Sequence, residues 1–423
     1  MVSLKNGVLK VMYNSEDVAK RIFDICFVMN VVTIFAFYKV QFIAPAMSFL
    51  LLASSLFIWT VRKKSKVIIP YNTVWYLAVI VYAGLSSLWT SYITTSFIGY
   101  LLKLVVVLAI ITSISIYVDT FEDLERIISL FVFSMVIIAI LEFSSVQTSK
   151  WFDGAMGSNF SGCNPNEIAF WSACAQMISF YKYYIQRQKS YIILVVFFLM
   201  FVLMSSSRKA MAAVLIVPLV IILLSTFKKN YFLKILLMIA IIVLIIYFVM
   251  TNELAYNAIG RRFNSMLNYY STGTQRSDNS LYMRNYYIEI AKKMFSESPI
   301  FGKGLENFSK ILDLDLGGKV TYSHNNHWQM LSEFGIIGFV IYYSFYVFCT
   351  IKLARDIFVK KSRVSILFLS MIIVIFVLEY GMVTYNSKTT QLVLAMAYTS
   401  TYVGEDDGRR YRYLSDNKNN LEA

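Results

Sequence analysis

Both histidines of this 423-residue chain lie in one short run, Ser323-His324-Asn325-Asn326-His327-Trp328. A neutral imidazole accepts a proton from a hydroxyl at physiological pH, which makes His324 the first candidate for a catalytic base. A zinc centre is a poor alternative. The HxxH spacing lacks the glutamate of HExxH, no cysteine cluster accompanies it, and Glu333 falls well down the following helix. His327 reads as an orienting or packing residue, and Trp328 as an anchor at a membrane interface.

The candidate partners are cations. Arg208 follows Ser205-Ser206-Ser207, and Lys209 follows it directly. Serine hydroxyls and the first N–H groups of a helix donate to phosphate oxygens, while a guanidinium offers a planar fork to two oxygens at once. The bland account is two basic side chains snorkelling to an interface. Arg284 sits near the start of a predicted helix, where the dipole disfavours a cation unless an anion is near. Arg261 and Arg262 compete with it. Gly302-Lys303-Gly304 lacks both the GxxxxGK[ST] pattern and the preceding strand of a phosphate loop, so these glycines are expected to make a sharp turn ahead of Phe308.

The elements that position these residues follow from composition. The chain is 58% hydrophobic and 15% charged, with a mean hydropathy of +0.60. Repeated apolar stretches, each long enough to cross about 30 Å of hydrocarbon, predict an all-α polytopic membrane protein. About twelve spans are marked, at 22–39, 42–61, 70–89, 97–117, 127–144, 165–181, 190–204, 209–226, 231–250, 329–350, 364–384 and 389–404. Residues 1–404 form one integral membrane domain, and 405–423 a charged cytoplasmic tail expected to be disordered. The first span shows no small-x-small cleavage signature and reads as a retained anchor. The four cysteines show no CxxC spacing, so free thiols are expected.

A net charge of +14 would suggest nucleic acid in a soluble chain. Placement explains it instead. Most basic residues gather in short connections on one side, which puts both termini in the cytoplasm and the long polar loop 251–326 outside. No nucleic-acid partner is expected. Within that loop Tyr282, Tyr286, Ile290 and Met294 recur at helical spacing, predicting an amphipathic helix over 280–295, capped by Asp278 or Ser280 and ended before Pro299. Its apolar face is expected against lipid or against the bundle.

Taken together, Asn164-Pro165-Asn166-Glu167-Ile168-Ala169, Ser206-Ser207-Arg208, Arg284, the run from Pro299 to Phe308, and the run from His324 to Gly338 resemble the bacterial O-antigen ligase and polymerase superfamily. The resemblance implies a GT-C-like membrane glycosyltransferase of the cytoplasmic (inner or plasma) membrane. Its active site would face outward and use undecaprenyl-diphosphate-linked glycans as donor and acceptor. It assigns Arg208 and Arg284 to the donor diphosphate and His324 to acceptor activation, with Ser206, Ser207, Asn164, Asn166, Asn325 and His327 as substrate contacts. A flippase and a chain-length regulator are the implied partners.

The expected chemistry is inverting displacement: the acceptor oxygen attacks the anomeric carbon as the diphosphate leaves, with neither nucleotide nor metal cofactor required. Retention would need a carboxylate nucleophile, for which Asp153, Glu306 and Asp313 carry no comparable support. Polymerisation of repeat units into an O-antigen or capsule is the first expectation, and ligase-type transfer to lipid A-core, wall polymer or protein the alternative. A lipid-linked glycan transporter is the opposing class; it should show matched halves with polar residues at the bilayer midplane, whereas the candidate ions here gather at one face.

Overall fold

A computed structural model describes residues 2–5, 8–11, 15–37, 42–62, 69–90, 96–145, 164–205, 207–225, 231–253, 260–317 and 321–403, with 40, 92 and 256. The expected tail 405–423, Asp153, Cys163 and Ser206 lie outside the described residues, as does the side chain of Arg262. A short antiparallel hairpin pairs β1 (Val2–Lys5) with β2 (Val8–Val11). The body is helical: α1 (Ser15–Ala36), α2 (Ile43–Val61), α3 (Tyr71–Leu85), α4 (Ser96–Tyr117), α5 (Phe121–Ser145), α6 (Pro165–Tyr184), α7 (Tyr191–Met204), α8 (Arg208–Ser225) and α9 (Tyr231–Thr251). Three helices then fill the long loop, α10 (Arg261–Thr272), α11 (Asn279–Glu297) and α12 (Asn307–Leu316), before α13 (Asn326–Arg355), α14 (Arg363–Leu378) and α15 (Lys388–Ser400).

The expectation of about twelve spans is corrected. Among the described residues, 6 helices are long and apolar enough to cross a membrane: α2, α4, α5, α8, α13 with its continuation to Lys360, and α14 with its continuation to Gly381. The other stretches fall short for physical reasons. Helices α3, α7 and α15 have 15, 14 and 13 residues, or roughly 20 Å of rise each, against about 30 Å of hydrocarbon. Helix α1 begins with Glu16, Asp17, Lys20, Arg21 and Asp24, and α6 carries Glu167, Gln176 and Lys182. The side chains of α9 lie partly outside the described residues. A polytopic membrane protein stands.

One hydrophobic core runs through the bundle, joining α1 and α2 to α4, α6 to α7 and α8, and α13 to α3 and α14. Cys26, Cys174 and Cys349 are buried in it as free thiols, as expected. A second cluster holds the loop: Tyr287, Ala291 and Met294 of α11 meet Phe308 and Leu312 of α12, with Trp328 beside them. The apolar face of α11 therefore turns onto α12 and the start of α13. Asp278 is the cap, accepting from the Leu281 N–H at 3.1 Å.

Helix α13 breaks at Gly335 (φ 62°, ψ −166°), and such a kink frees backbone groups that must find partners. The segment at 299–304 supplies them. The N–H groups of Lys303 and Gly304 donate to Ser332 O (2.9 Å) and Glu333 O (2.8 Å), while Ile336 N–H donates to Pro299 O (2.8 Å). Gly302 and Gly304 have positive φ, the expected sharp turn, and Phe308 is buried after it. A Cβ on Gly302 would lie 2.4 Å from the Glu333 backbone, and one on Gly335 2.3 Å from Ile300 O. Gly302→Ala or Gly335→Ala is expected to cost about 2–4 kcal/mol, combining left-handed strain with overpacking. Thermal unfolding of the detergent-solubilised variants measures this; an unchanged midpoint would show that the junction yields without cost.

Candidate active site

His324 sits on the strand of chain that climbs into α13, with a left-handed backbone (φ 57°). For a non-glycine residue this costs on the order of 1 kcal/mol and persists only where neighbours over-determine it. They do so here. Ser323 is fully buried, with its N–H on Gln329 Oε1 (2.8 Å) and its hydroxyl on Asn325 O (2.7 Å). Asn325 then caps α13, accepting from Trp328 N–H at 3.1 Å. The imidazole stacks on Tyr287 of α11 (centroids 5.9 Å apart) and tilts against Tyr322 (4.2 Å).

Arg284 lies one turn before Tyr287 on α11, so the face that holds the histidine also presents a guanidinium. Burial, then the charges of Arg284 and Lys209, push the His324 proton affinity down to about 3. The imidazole is therefore neutral at physiological pH. Arg284 itself is pushed below the usual arginine range by burial and by Arg208. Arg208, the first residue of α8, is tied at 2.7 Å to Asp278, the cap of α11. Burial acts to raise the Asp278 carboxyl, but hydrogen bonds from Arg208 and from the Leu281 N–H outweigh it and hold the group ionised.

Three cations thus share one corner, Arg208, Lys209 and Arg284, with the Asp278 carboxylate paired to Arg208. Among the described residues neither Lys209 nor Arg284 makes an ion pair. The Ser207 hydroxyl, immediately before α8, is buried without a hydrogen-bond partner among them. The charges of Lys209 and Arg284, the Ser207 hydroxyl and a helix start make this corner a candidate anion site.

A cavity of about 500 Å³ opens beside this corner, with Lys209 and Tyr322 on its wall. Asn164 and Asn166 line it from the start of α6, where the Asn164 side chain accepts from the Asn166 N–H at 3.0 Å as the helix cap. Tyr100 and Trp171 offer aromatic faces, while Gln329, Glu306 and Glu333 offer polar groups. Burial lifts the Glu306 carboxyl to about 7, against the opposing charge of Lys103. A lining of amides, carboxyls and aromatic rings suits a polyhydroxylated ligand.

Of the residues singled out from sequence, Arg208, Arg284 and His324 come together, and Ser207, Asn164 and Asn166 border the same region. Asn325 and His327 are engaged in holding the scaffold. The Asn325 Nδ2 donates to Tyr380 O at 3.3 Å, and the His327 ring stacks on Tyr343 with centroids 5.2 Å apart and meets Phe376 edge-on. Arg261 is exposed. Sequence reasoning passed over Tyr287, Tyr322 and the Arg208–Asp278 pair. The spacing of Arg284 and Tyr287 on one helical face was the available signal for the first. It also weighed Glu333 only as a metal ligand, although a carboxyl inside an apolar helix is itself a signal of function.

No curated protein matches this chain. The family model described as O-antigen ligase matches residues 193–343, the stretch from α7 into α13 that contains Arg208, Arg284 and His324. Residues 193–343 thus match the O-antigen ligase family, in a chain whose α8 and α13 are long and apolar enough to cross a membrane.

Proposed function

We propose that this protein transfers a glycan from a lipid diphosphate to an acceptor hydroxyl by inverting displacement outside the cytoplasmic membrane. The observation that carries the reading is the corner itself, three cations beside a neutral imidazole, next to a polar cavity. In one step the acceptor oxygen bonds to the anomeric carbon, its proton passes to His324, and the bond from that carbon to the phosphate oxygen breaks. The electron pair leaves on the diphosphate, where Arg208 and Arg284 hold the growing charge. The guanidinium groups supply the charge stabilisation this step needs. A single displacement inverts the anomeric centre.

The family description supports transfer to a separate acceptor, as a ligase performs, more directly than the polymerisation read from sequence. The donor is an undecaprenyl-diphosphate-linked glycan, and both termini lie in the cytoplasm as the placement of basic residues implies. Deletion of the gene followed by analysis of the glycans separates the readings. Ligase-type transfer predicts accumulated lipid-linked polymer that never reaches its acceptor. Loss of long chains with single repeats still attached would replace it with polymerisation, and unchanged surface glycan would remove both.

A further inference from the structure

Lys209 is the one member of the cation corner that also borders the cavity. It follows Arg208 in the first turn of α8, within reach of the Arg208 and Arg284 charges, and its own charge acts on His324. Its Nζ donates to Gly381 O, and a Cβ at Gly381 would lie 2.8 Å from the Lys209 Cε. A staple to that loop would be redundant. Asn325 already donates to Tyr380 O, and the Asn326 Oδ1 accepts from the N–H groups of Thr384 (2.9 Å) and Tyr385 (3.1 Å). Glu379 adds bonds from Tyr343 (2.8 Å), Tyr346 (2.5 Å) and Thr384. An ammonium has three donors, and Gly381 O takes one. Among the described residues no carboxylate lies within ion-pair distance of the other two. Desolvating an ammonium beside two guanidinium groups is costly unless an anion joins them.

Resting on the function proposed above, we infer that Lys209 is a third cation of the lipid-diphosphate site, contacting the phosphate oxygens where that site meets the cavity. It places the bond to be broken at the mouth of the cavity, between the diphosphate and the acceptor. The same charge also adds to the Arg284 effect that keeps His324 neutral, with Tyr287 and Tyr322 the other titratable groups against the ring and Asp278 the nearby carboxylate.

The test is binding of undecaprenyl diphosphate to the full-length protein in nanodiscs. Lys209→Met is expected to weaken binding at least tenfold, and Lys209→Arg to stay within about threefold of the parent, because a fixed charge rather than a particular shape is required. Lys209→Gln, which keeps a donor for Gly381 O without the charge, should follow the methionine variant and covers the case in which that variant does not fold. If Gln binds like the parent while Arg284→Ala loses the ligand, Lys209 is only a staple and the inference is wrong, with the proposed function intact. If Arg284→Ala also binds like the parent, the corner is not the diphosphate site and both readings fall.

Discussion

Arg284→Ala is expected to lower glycan transfer by about 10²–10³-fold, the range for removing one preorganised donor from developing negative charge. The reason lies in what surrounds the guanidinium. It is held by the packing of α11 on α12 and α13, it makes no ion pair among the described residues, and burial together with Arg208 disfavours its charge until an anion arrives. Binding of the lipid diphosphate therefore relieves an existing repulsion, and that relief is greatest when the diphosphate carries the full charge of the leaving group. Arg284→Lys should recover only part of the loss, since an ammonium lacks the planar fork. The comparison is made from initial rates at saturating acceptor; an alanine variant within threefold of the parent would remove Arg284 from the site.

His324→Ala is expected to lower turnover by about 10²–10⁴-fold, the usual contribution of a positioned base, while leaving lipid-diphosphate binding unchanged. A base whose conjugate acid titrates at about 3 is weak in the free protein. The donor changes that. Its negative charge offsets the fields of Arg284 and Lys209, so the imidazole in the complex holds a proton more readily than the empty site does. The sign follows: activity fails as pH falls through the His324 value, and the acid limb of kcat should lie at higher pH than that of kcat/KM. Coincident limbs would exclude His324 as the group that titrates. Stability carries the same depression. With the folded value below the unfolded value of about 6.5, the stabilisation is present above about 6.5 and is lost as pH falls towards about 3.

Local chemistry in this protein was readable from the chain. The 3.6-residue period and Asp278 marked α11 and its cap, the pair of glycines at 302 and 304 marked a turn, and the polar residues at 205–208, 284 and 323–327 marked the candidate site. What was hidden depends on contacts far apart in sequence. Nothing near Gly335 says that its kink is completed by backbone groups at 299–304. Likewise, Asn326 gives no local sign that its amide holds the loop at 384–385. The span count failed for a related reason. Helix α15 is apolar because it packs inside the bundle, while α3 and α7 are apolar but short, and hydropathy alone separates neither case from membrane crossing. Exposed apolar side chains on α2, Phe49 and Leu56 among them, show the opposite case, a surface meant for lipid.

The most direct measurement is transfer by purified full-length protein in liposomes containing a lipid-diphosphate-linked glycan and its acceptor, with product and released undecaprenyl diphosphate counted together. The parent protein is expected to release one lipid diphosphate for each glycosidic bond it forms. Both products are expected to be lost in Arg284→Ala and His324→Ala, with His324→Ala still binding undecaprenyl diphosphate. Equal turnover by the parent and both variants would contradict the proposed mechanism.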